Sequence, residues 1–239
     1  MTGRQRAALL AGASAAFLAA RQPARAEGPP PPLSARFVLE SVDGPHKDIS
    51  TGTVHLQPGM NACVLVETPV KQELRLGLKE LVVYYPDRDL ALVGTVSPRQ
   101  APPLFEALVV ALSDPTRTLP RGSTLLERKQ TGAVLVTRWR VVKEEGEQAG
   151  EMRIEETREG ASRIEVLDPA RHPQRLFSFG DRLRFAGRSV PRTIEARYFT
   201  AAGAERRRES WTLSDLAPET GTTSCARIGP KTKVQELAW

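Results

Sequence analysis

The side chains that could bind a metal or act as nucleophiles are few and far apart in this chain of 239 residues. His46, His55 and His172 are its histidines, and none of them has the H-x-x-x-H or C-x-x-C spacing that places ligands on one metal ion. The sequence also contains no G-x-S-x-G nucleophile motif and no phosphate-binding loop. We therefore predict that the protein is not an enzyme and needs no cofactor. An envelope hydrolase is the remaining enzymatic hypothesis, and no motif supports it.

Cys63 and Cys225 are the two cysteines. In an oxidising compartment an even pair of cysteines predicts a disulfide, and two independent buried thiols are the alternative. A bridge would join an early strand region to the C-terminal part of the chain and close most of the sequence into one loop.

The first 26 residues have the three parts of a secretory signal peptide. Arg4 and Arg6 supply the positive charge, residues 7–20 are uncharged and apolar, and Ala24-Arg25-Ala26 precedes a predicted cleavage before Glu27. The apolar run of about 14 residues is shorter than the ~20 that a transmembrane helix needs, so a stable membrane span is not expected. The sequence thus predicts export to the periplasm.

The charge of the exported chain argues against a nucleic-acid partner. The full sequence has 34 Lys and Arg, of which four arginines lie in the predicted leader, leaving 30 against 28 Asp and Glu. Nucleic-acid binding needs a concentrated basic face. The one tight basic cluster, residues 206–208, is flanked by Gly203, Glu205 and Glu209, which is typical of a solvated hairpin tip. Contact with an anionic lipid or a nucleic acid is the alternative for this cluster.

The elements that must position any site are mostly strands. We expect a signal peptide over residues 1–26, a proline-rich linker over 27–33 and one β domain over 34–239. Alternation of apolar and polar residues predicts strands, and the short turns between the first six exclude crossover helices, so the sheet is expected to be antiparallel. A helix is predicted from the cap Ser97 and Pro98 to Leu112. The predicted strands are 35–42, 51–57, 62–68, 72–78, 80–85, 89–96, 124–129, 133–142, 151–157, 162–167, 175–179, 183–186, 193–199 and 208–213, with a further one near Lys233.

Along these strands one side is apolar and the other is charged. A single sheet with one apolar face must cover that face, and one helix can cover only part of it. The sheet either curls until its inner face is filled, or stays partly open and leaves an apolar groove for a ligand. The residues expected to share this face and to contact a ligand are Val64, Val66, Leu74, Leu76, Leu81, Val83, Tyr85 and Leu92.

Two segments resemble a known family. Residues 50–94 resemble the N-terminal half of LolA-like proteins, whose marks correspond here to Thr51-Gly52, Thr68-Pro69 and Tyr85-Pro86, followed by a helix. Residues 163–216, with Val190-Pro191 between a strand and a long hairpin, look like the C-terminal half of outer-membrane lipoprotein-sorting proteins. The amphipathic N-terminal helix of the family is replaced here by the predicted linker and a strand.

The resemblance implies a mainly β fold, namely a strongly curved antiparallel sheet that forms an unclosed barrel with one or a few covering helices. It also implies a periplasmic carrier or binding protein, whose apolar interior receives the acyl chains of lipoproteins or lipids. The alternative on the same scaffold is a protein-interaction or envelope-stress sensor module, whose partner would be an envelope protein.

Overall fold

A computed structural model describes residues 32–57, 61–77, 80–95, 103–112, 119, 122–142, 148–219, 225 and 228–236. The predicted signal peptide and the predicted helix cap at Ser97 and Pro98 lie outside these residues.

The described chain consists almost entirely of strands. Their bounds are β1 Leu33–Asp43, β2 His46–Gln57, β3 Asn61–Thr68, β4 Gln72–Leu76, β5 Glu80–Tyr85, β6 Leu90–Thr95, β7 Thr124–Thr131, β8 Val134–Val142, β9 Gln148–Thr157, β10 Gly160–Leu167, β11 Pro173–Phe185, β12 Arg188–Phe199, β13 Glu205–Pro218 and β14 Lys233–Glu236. One helix, α1 (Pro103–Leu112), lies between β6 and β7, and Pro86–Arg88 form a single 3-10 turn.

All fourteen strands belong to one sheet, in the order β14-β6-β5-β4-β3-β2-β1-β13-β12-β11-β10-β9-β8-β7. Every neighbouring pair is antiparallel except β14 and β6, which are parallel. Strands β7 and β14 are the two edges, so the sheet does not close into a barrel. The predicted fold class, a curved antiparallel sheet forming an unclosed barrel with a covering helix, is confirmed.

The core shows that the sheet is strongly curved. One cluster of buried side chains contains Leu74 of β4, Ile164 of β10 and Leu108 of α1. Six strands, β3, β2, β1, β13, β12 and β11, lie between β4 and β10 in the sheet order. In a flat sheet with strands ~4.8 Å apart, side chains of β4 and β10 would be too far apart to share one cluster. The two halves of the sheet must therefore bend toward a common interior, with α1 packed against β12.

Gly52 permits a close contact at the centre of this interior. It lies opposite Phe37 of β1, and a Cβ atom at Gly52 would sit 1.9 Å from the Leu65 carbonyl oxygen and 3.0 Å from Cε1 of Phe37. The Phe37 ring is thus able to lie against the sheet and pack on Trp211, with ring centroids 5.3 Å apart.

Several strands extend beyond the sequence prediction. Residues 175–179 and 183–186 were expected to form two strands with a turn at Gly180, but β11 is continuous and Gly180 pairs with Thr193 of β12. Pairing along the whole length of β12 keeps this strand intact, which local glycine content does not reveal. Val190-Pro191 likewise lies inside β12, and β1 begins at Leu33, which is buried.

The expected solvated hairpin tip at residues 206–208 is confirmed only for exposure, since Arg206 and Arg208 are exposed, and it is wrong for the backbone and for Arg207. These residues belong to β13, and the turn before this strand is closed by the Gly203 N–H donating to the Thr200 carbonyl at 2.8 Å. The side chain of Arg207 is directed toward the interior, where it pairs with the buried Glu209. A charge run flanked by glycine and glutamate resembles a turn in sequence, whereas the strand pairing of β13 with both β1 and β12 decides its structure.

The described C-terminal residues 219, 225 and 228–236 are called the strap below, because they are tied to the outer face of the sheet. Glu219 Oε2 lies 2.7 Å from Nδ1 of His55 on β2. Cys225 is bonded to Cys63 of β3, and the Cα atoms are 5.7 Å apart, so the predicted disulfide is present. Thr232 Oγ1 donates to the Asp89 carboxylate at 2.7 Å, just before β14 joins β6.

Candidate ligand-binding site

The eight residues predicted to share an apolar face lie together in the structure. Six of them are buried members of the core cluster, and Tyr85 and Leu92 pack against it with partial exposure. The sheet register places four in one row across β3, β4, β5 and β6, namely Val64, Leu74, Val83 and Leu92. Leu76 and Leu81 are opposite each other in the next row. Their contact with a ligand remains a prediction.

The same face continues across the other half of the sheet. Its buried members there come from β9 to β13 and are Ile154, Ile164, Phe177, Phe179, Ile194, Ala196, Trp211 and Leu213. Partly buried apolar side chains extend it toward β8, including Trp139 and Met152. The inner face of the curved sheet is therefore apolar over most of its width.

Helix α1 covers a part of this face. Ala107 and Leu108 are fully buried in the cluster, and Val110 and Ala111 pack at its border. The helix has ten residues, which corresponds to a length of about 15 Å or the width of about three strands. The described helix cannot by itself cover the inner face of a sheet of fourteen strands.

One end of the inner face is polar, and the sequence prediction missed it. Three successive rows cross β1, β13, β12 and β11 on this face, each shifted by two residues along the strands. The first row is Leu39, Trp211, Ile194 and Phe179, the second is Ser41, Glu209, Ala196 and Phe177, and the third is Asp43, Arg207, Tyr198 and Arg175. Polarity thus rises from a wholly apolar row to a row with two arginines, a tyrosine and an aspartate. The third row is called the polar row below.

Glu209 is the most deeply placed charge of this region, since its side chain has 0% exposure. Its Oε1 lies 2.7 Å from Nη2 of Arg207. Burial raises the pKa of the Glu209 carboxyl above its ordinary value, while the Arg207 guanidinium and the Trp211 indole act in the opposite direction.

A second ion pair connects the helix to the polar row. Arg175 of β11 donates to the carboxylate of Glu106 on α1. Burial raises the pKa of Glu106, and Arg175 partly offsets this rise. Tyr198 stands between the two arginines in the row, and its pKa is raised first by burial and then by the negative charges of Glu209 and Glu106.

The sequence did contain a signal for this polar end. Arg207, Glu209, Trp211 and Leu213 follow one another at intervals of two, so they share one side of a strand. Charges at two positions of an otherwise apolar stripe are unusual, because a buried charge needs a partner. The interpretation of residues 206–208 as a solvated hairpin tip concealed this pattern, because the predicted strand began only at Arg208.

Other kinds of site find no support among the described residues. No group of three or more His, Cys, Asp or Glu side chains in the described ranges is arranged to hold a metal ion. Within the same ranges, none of the helices has the length and apolar composition needed to cross a membrane. A cleft of 480 Å³ is lined by residues of β5, β6 and β14, namely Glu80, Val93–Thr95 and Val234–Glu236, and none of the eight predicted residues lines it.

The curved, unclosed sheet with an apolar inner face is the LolA-like fold, as the sequence resemblance predicted. A LolA superfamily protein from Nitrosomonas europaea matches with a TM-score of 0.55 and 12% identity, over 80% of this chain and 88% of that one. A DUF1329 family protein from Desulfovibrio piger matches with a TM-score of 0.56 and 11% identity, over 81% and 88% of the two chains. A domain named for outer membrane lipoprotein sorting, from Vibrio parahaemolyticus, matches with a TM-score of 0.56 and 9% identity, over 80% and 86%. No family model and no curated protein sequence matches the chain.

Proposed function

We propose that this protein is a periplasmic, non-enzymatic carrier or binding protein for lipoproteins or acylated lipids. It holds acyl chains against the apolar inner face of the sheet. The observation that carries this proposal is that apolar side chains from both halves of the sheet form one continuous inner face, which the described helix covers only in part. The fold shared with a domain named for lipoprotein sorting supports the same function.

The physical basis is the transfer of acyl chains out of water. Each buried methylene group contributes about 0.8 kcal/mol, so a chain of ordinary length needs only partial burial for useful affinity. The eight predicted residues offer aliphatic and aromatic surface without a charged group among them. Such a surface selects for an alkyl chain without recognising any particular chain length.

The compartment forms part of the proposal. The predicted leader over residues 1–26 directs the chain to the periplasm, and a disulfide between Cys63 and Cys225 is the kind of bond that persists there. Intact-mass measurement on protein secreted from the full-length gene should give a chain that begins at Glu27. A mature protein that still begins at Met1 would refute the export pathway.

Binding of a fluorescent fatty acid, cis-parinaric acid, tests the carrier function. Leu92 is suited for a variant because it is on the predicted face and only partly buried, so a carboxylate there can remain hydrated. Leu92→Glu should reduce binding strongly and change the melting temperature little. The matched control is Val38→Glu, which places the same charge on a side chain that is 45% exposed in β1, and this variant should bind like the parent.

A parent protein without any bound lipid would contradict the carrier function. If the parent protein binds no fatty acid and co-purifies with no lipid by mass spectrometry, the inner face is a filled core and the carrier function is wrong. An envelope protein captured by a non-binding parent would then favour the interaction-module alternative.

A further inference from the structure

We propose that the polar row is a headgroup site for anionic amphiphiles, in which Arg175, Tyr198 and Arg207 bind a carboxylate or phosphate while the attached chain lies on the apolar rows. This inference rests on the proposed function and names the class of ligand: an acyl chain that carries an acidic head.

The order of the rows matches the two parts of such a molecule. Adjacent rows are two residues apart along each strand, or about 7 Å, so the polar row is about 14 Å from the row that contains Trp211. The intermediate row contributes Phe177 and Ala196 beside Glu209. A ligand lying along the strands would therefore pass from alkyl surroundings to cationic ones within the length of one acyl chain.

The arginines of the row are reachable and retain donors. Their side chains are 36% exposed for Arg175 and 31% exposed for Arg207. A guanidinium has five N–H donors in a fork that fits a carboxylate or phosphate, and each arginine directs only some of these to its glutamate. The buried Nε of Arg207 has no hydrogen-bond partner among the described residues, although buried donors are normally paired.

The acidic partners explain how the site can exist without a ligand. Glu209 and Glu106 pair with the two arginines and keep them from being isolated cations beside an apolar face. An incoming anion competes with Glu209 for Arg207, and the displaced carboxyl then favours its protonated form. The charged and titratable groups around Glu209 are Asp43, Glu106, Arg175, Tyr198 and Arg207. Binding should therefore be coupled to proton uptake and weaken as the pH rises.

A pair of probes with the same acyl chain, one with an ionised head and one with a neutral head, tests the headgroup site. The parent should bind cis-parinaric acid about tenfold or more tightly than its methyl ester, because charge-assisted hydrogen bonds are made only to the acid. The double variant Arg207→Gln/Glu209→Gln keeps the net charge and leaves no buried carboxylate unpaired. It should lose most of this preference for the acid while its affinity for the ester stays unchanged.

A matched control separates the site from general electrostatics. Arg153→Gln/Glu155→Gln removes an ion pair of 2.9 Å from the opposite face of the sheet and should keep the parent's preference. Tyr198→Phe removes one hydroxyl and should reduce the preference by a smaller factor, which provides a second measurement if the first double variant does not fold.

The binding results distinguish failure of the headgroup site from failure of the proposed acyl-chain function. If the parent binds the acid and the ester equally, or if neither row variant changes the ratio, the headgroup site is wrong and the acyl-chain function stands. If the parent binds neither probe, the proposed function itself fails. Inorganic phosphate alone should not displace the fatty acid. Displacement would assign the row to a free anion and overturn the headgroup assignment.

Discussion

Arg207 Nη2 lies 2.7 Å from Glu209 Oε1, and the Glu209 side chain is completely buried between Trp211 and the polar row. The two residues are two positions apart on β13, so both project toward the inner face. The unfavourable desolvation free energy of burying such a pair is only partly offset by the attraction between the two charges. Stability alone therefore does not account for an ion pair at this position, whereas the proposed role in ligand binding does.

The pH dependence of stability should report on Glu209. Its pKa is raised by burial in the folded protein, so the folded state holds the proton more tightly than the unfolded state. This contribution to stability is complete below the ordinary glutamate pKa and is lost as the pH rises through the folded pKa. Glu209→Gln should therefore gain stability relative to the parent between pH 4 and pH 8, as measured by urea unfolding at each pH. A constant difference across this range would contradict the prediction.

The variant of the partner residue, Arg207, should change the pH dependence of stability in the opposite direction to Glu209→Gln. Arg207→Gln removes the positive charge that lowers the Glu209 pKa, so the pKa should rise further and the loss of stability with increasing pH should become steeper. The same unfolding series checks this, and near-UV circular dichroism verifies that each variant keeps its tertiary packing.

Gly52 should tolerate no side chain. A Cβ atom there would be 1.9 Å from the backbone oxygen of Leu65, so β2 and β3 would have to separate and the Phe37 ring would lose its place on Trp211. Gly52→Ala should destabilise the protein by several kcal/mol, at the level of severe core substitutions, and the protein should melt far below the parent. Gly77→Ala is the control, because its new Cβ would meet the Glu80 carbonyl oxygen at 3.6 Å, an ordinary contact. Equal melting temperatures for the two variants would refute this account.

The motifs that carried the family resemblance have a physical basis in this structure. Thr51 and Thr68 are register partners on β2 and β3, and their hydroxyl oxygens are 2.8 Å apart. Thr51-Gly52 and Thr68-Pro69 thus meet at one point of the sheet, where Gly52 allows the close approach. Tyr85 ends β5 and packs against the core, and Pro86 starts the turn to β6.

Sequence reasoning succeeded where local pattern determines the structure. The alternation along β3 to β6 identified the inner face correctly, because a strand with one buried side must alternate. It failed where pairing with distant strands decides, as at Gly180 inside β11 and at residues 206–208 inside β13. The polar end of the site was missed for the same reason. Alternation along residues 207–213 indicates the part of it on β13, but its rows also join residues from β1, β11 and β12, which no local window contains.

Leu76 measures how tightly the inner face is packed. It is a buried member of the core cluster opposite Ala62 and Leu81. Leu76→Ala should destabilise by about 2–5 kcal/mol, with the lower end expected if neighbouring side chains can move into the space. Val38→Ala, at an exposed position of β1, should change stability by less than about 0.5 kcal/mol. Urea unfolding gives both values, and a near-zero effect at Leu76 would show that its side chain contributes no packing.

The disulfide should hold the strap against the outer face of the sheet. Cys63 and Cys225 are 162 residues apart, and closing a loop of that length reduces the entropy of the unfolded chain by an amount worth up to about 5 kcal/mol. Val82 and Ala91 are buried on the same outer face. Strand β14 has four residues with exposed side chains and pairs only with β6 among the described strands. In Cys63→Ser/Cys225→Ser, the free energy of unfolding should fall by about 2–5 kcal/mol. Amide hydrogen exchange should accelerate in β6 and β14 before it accelerates in β1 and β13.

The variant Thr232→Val serves as a comparison, since it removes the hydrogen bond to Asp89 and leaves the disulfide in place. It should accelerate exchange at β14 alone. Uniform acceleration across the sheet in the cysteine variant would show that the bond stabilises the whole fold and does not act specifically on the strap.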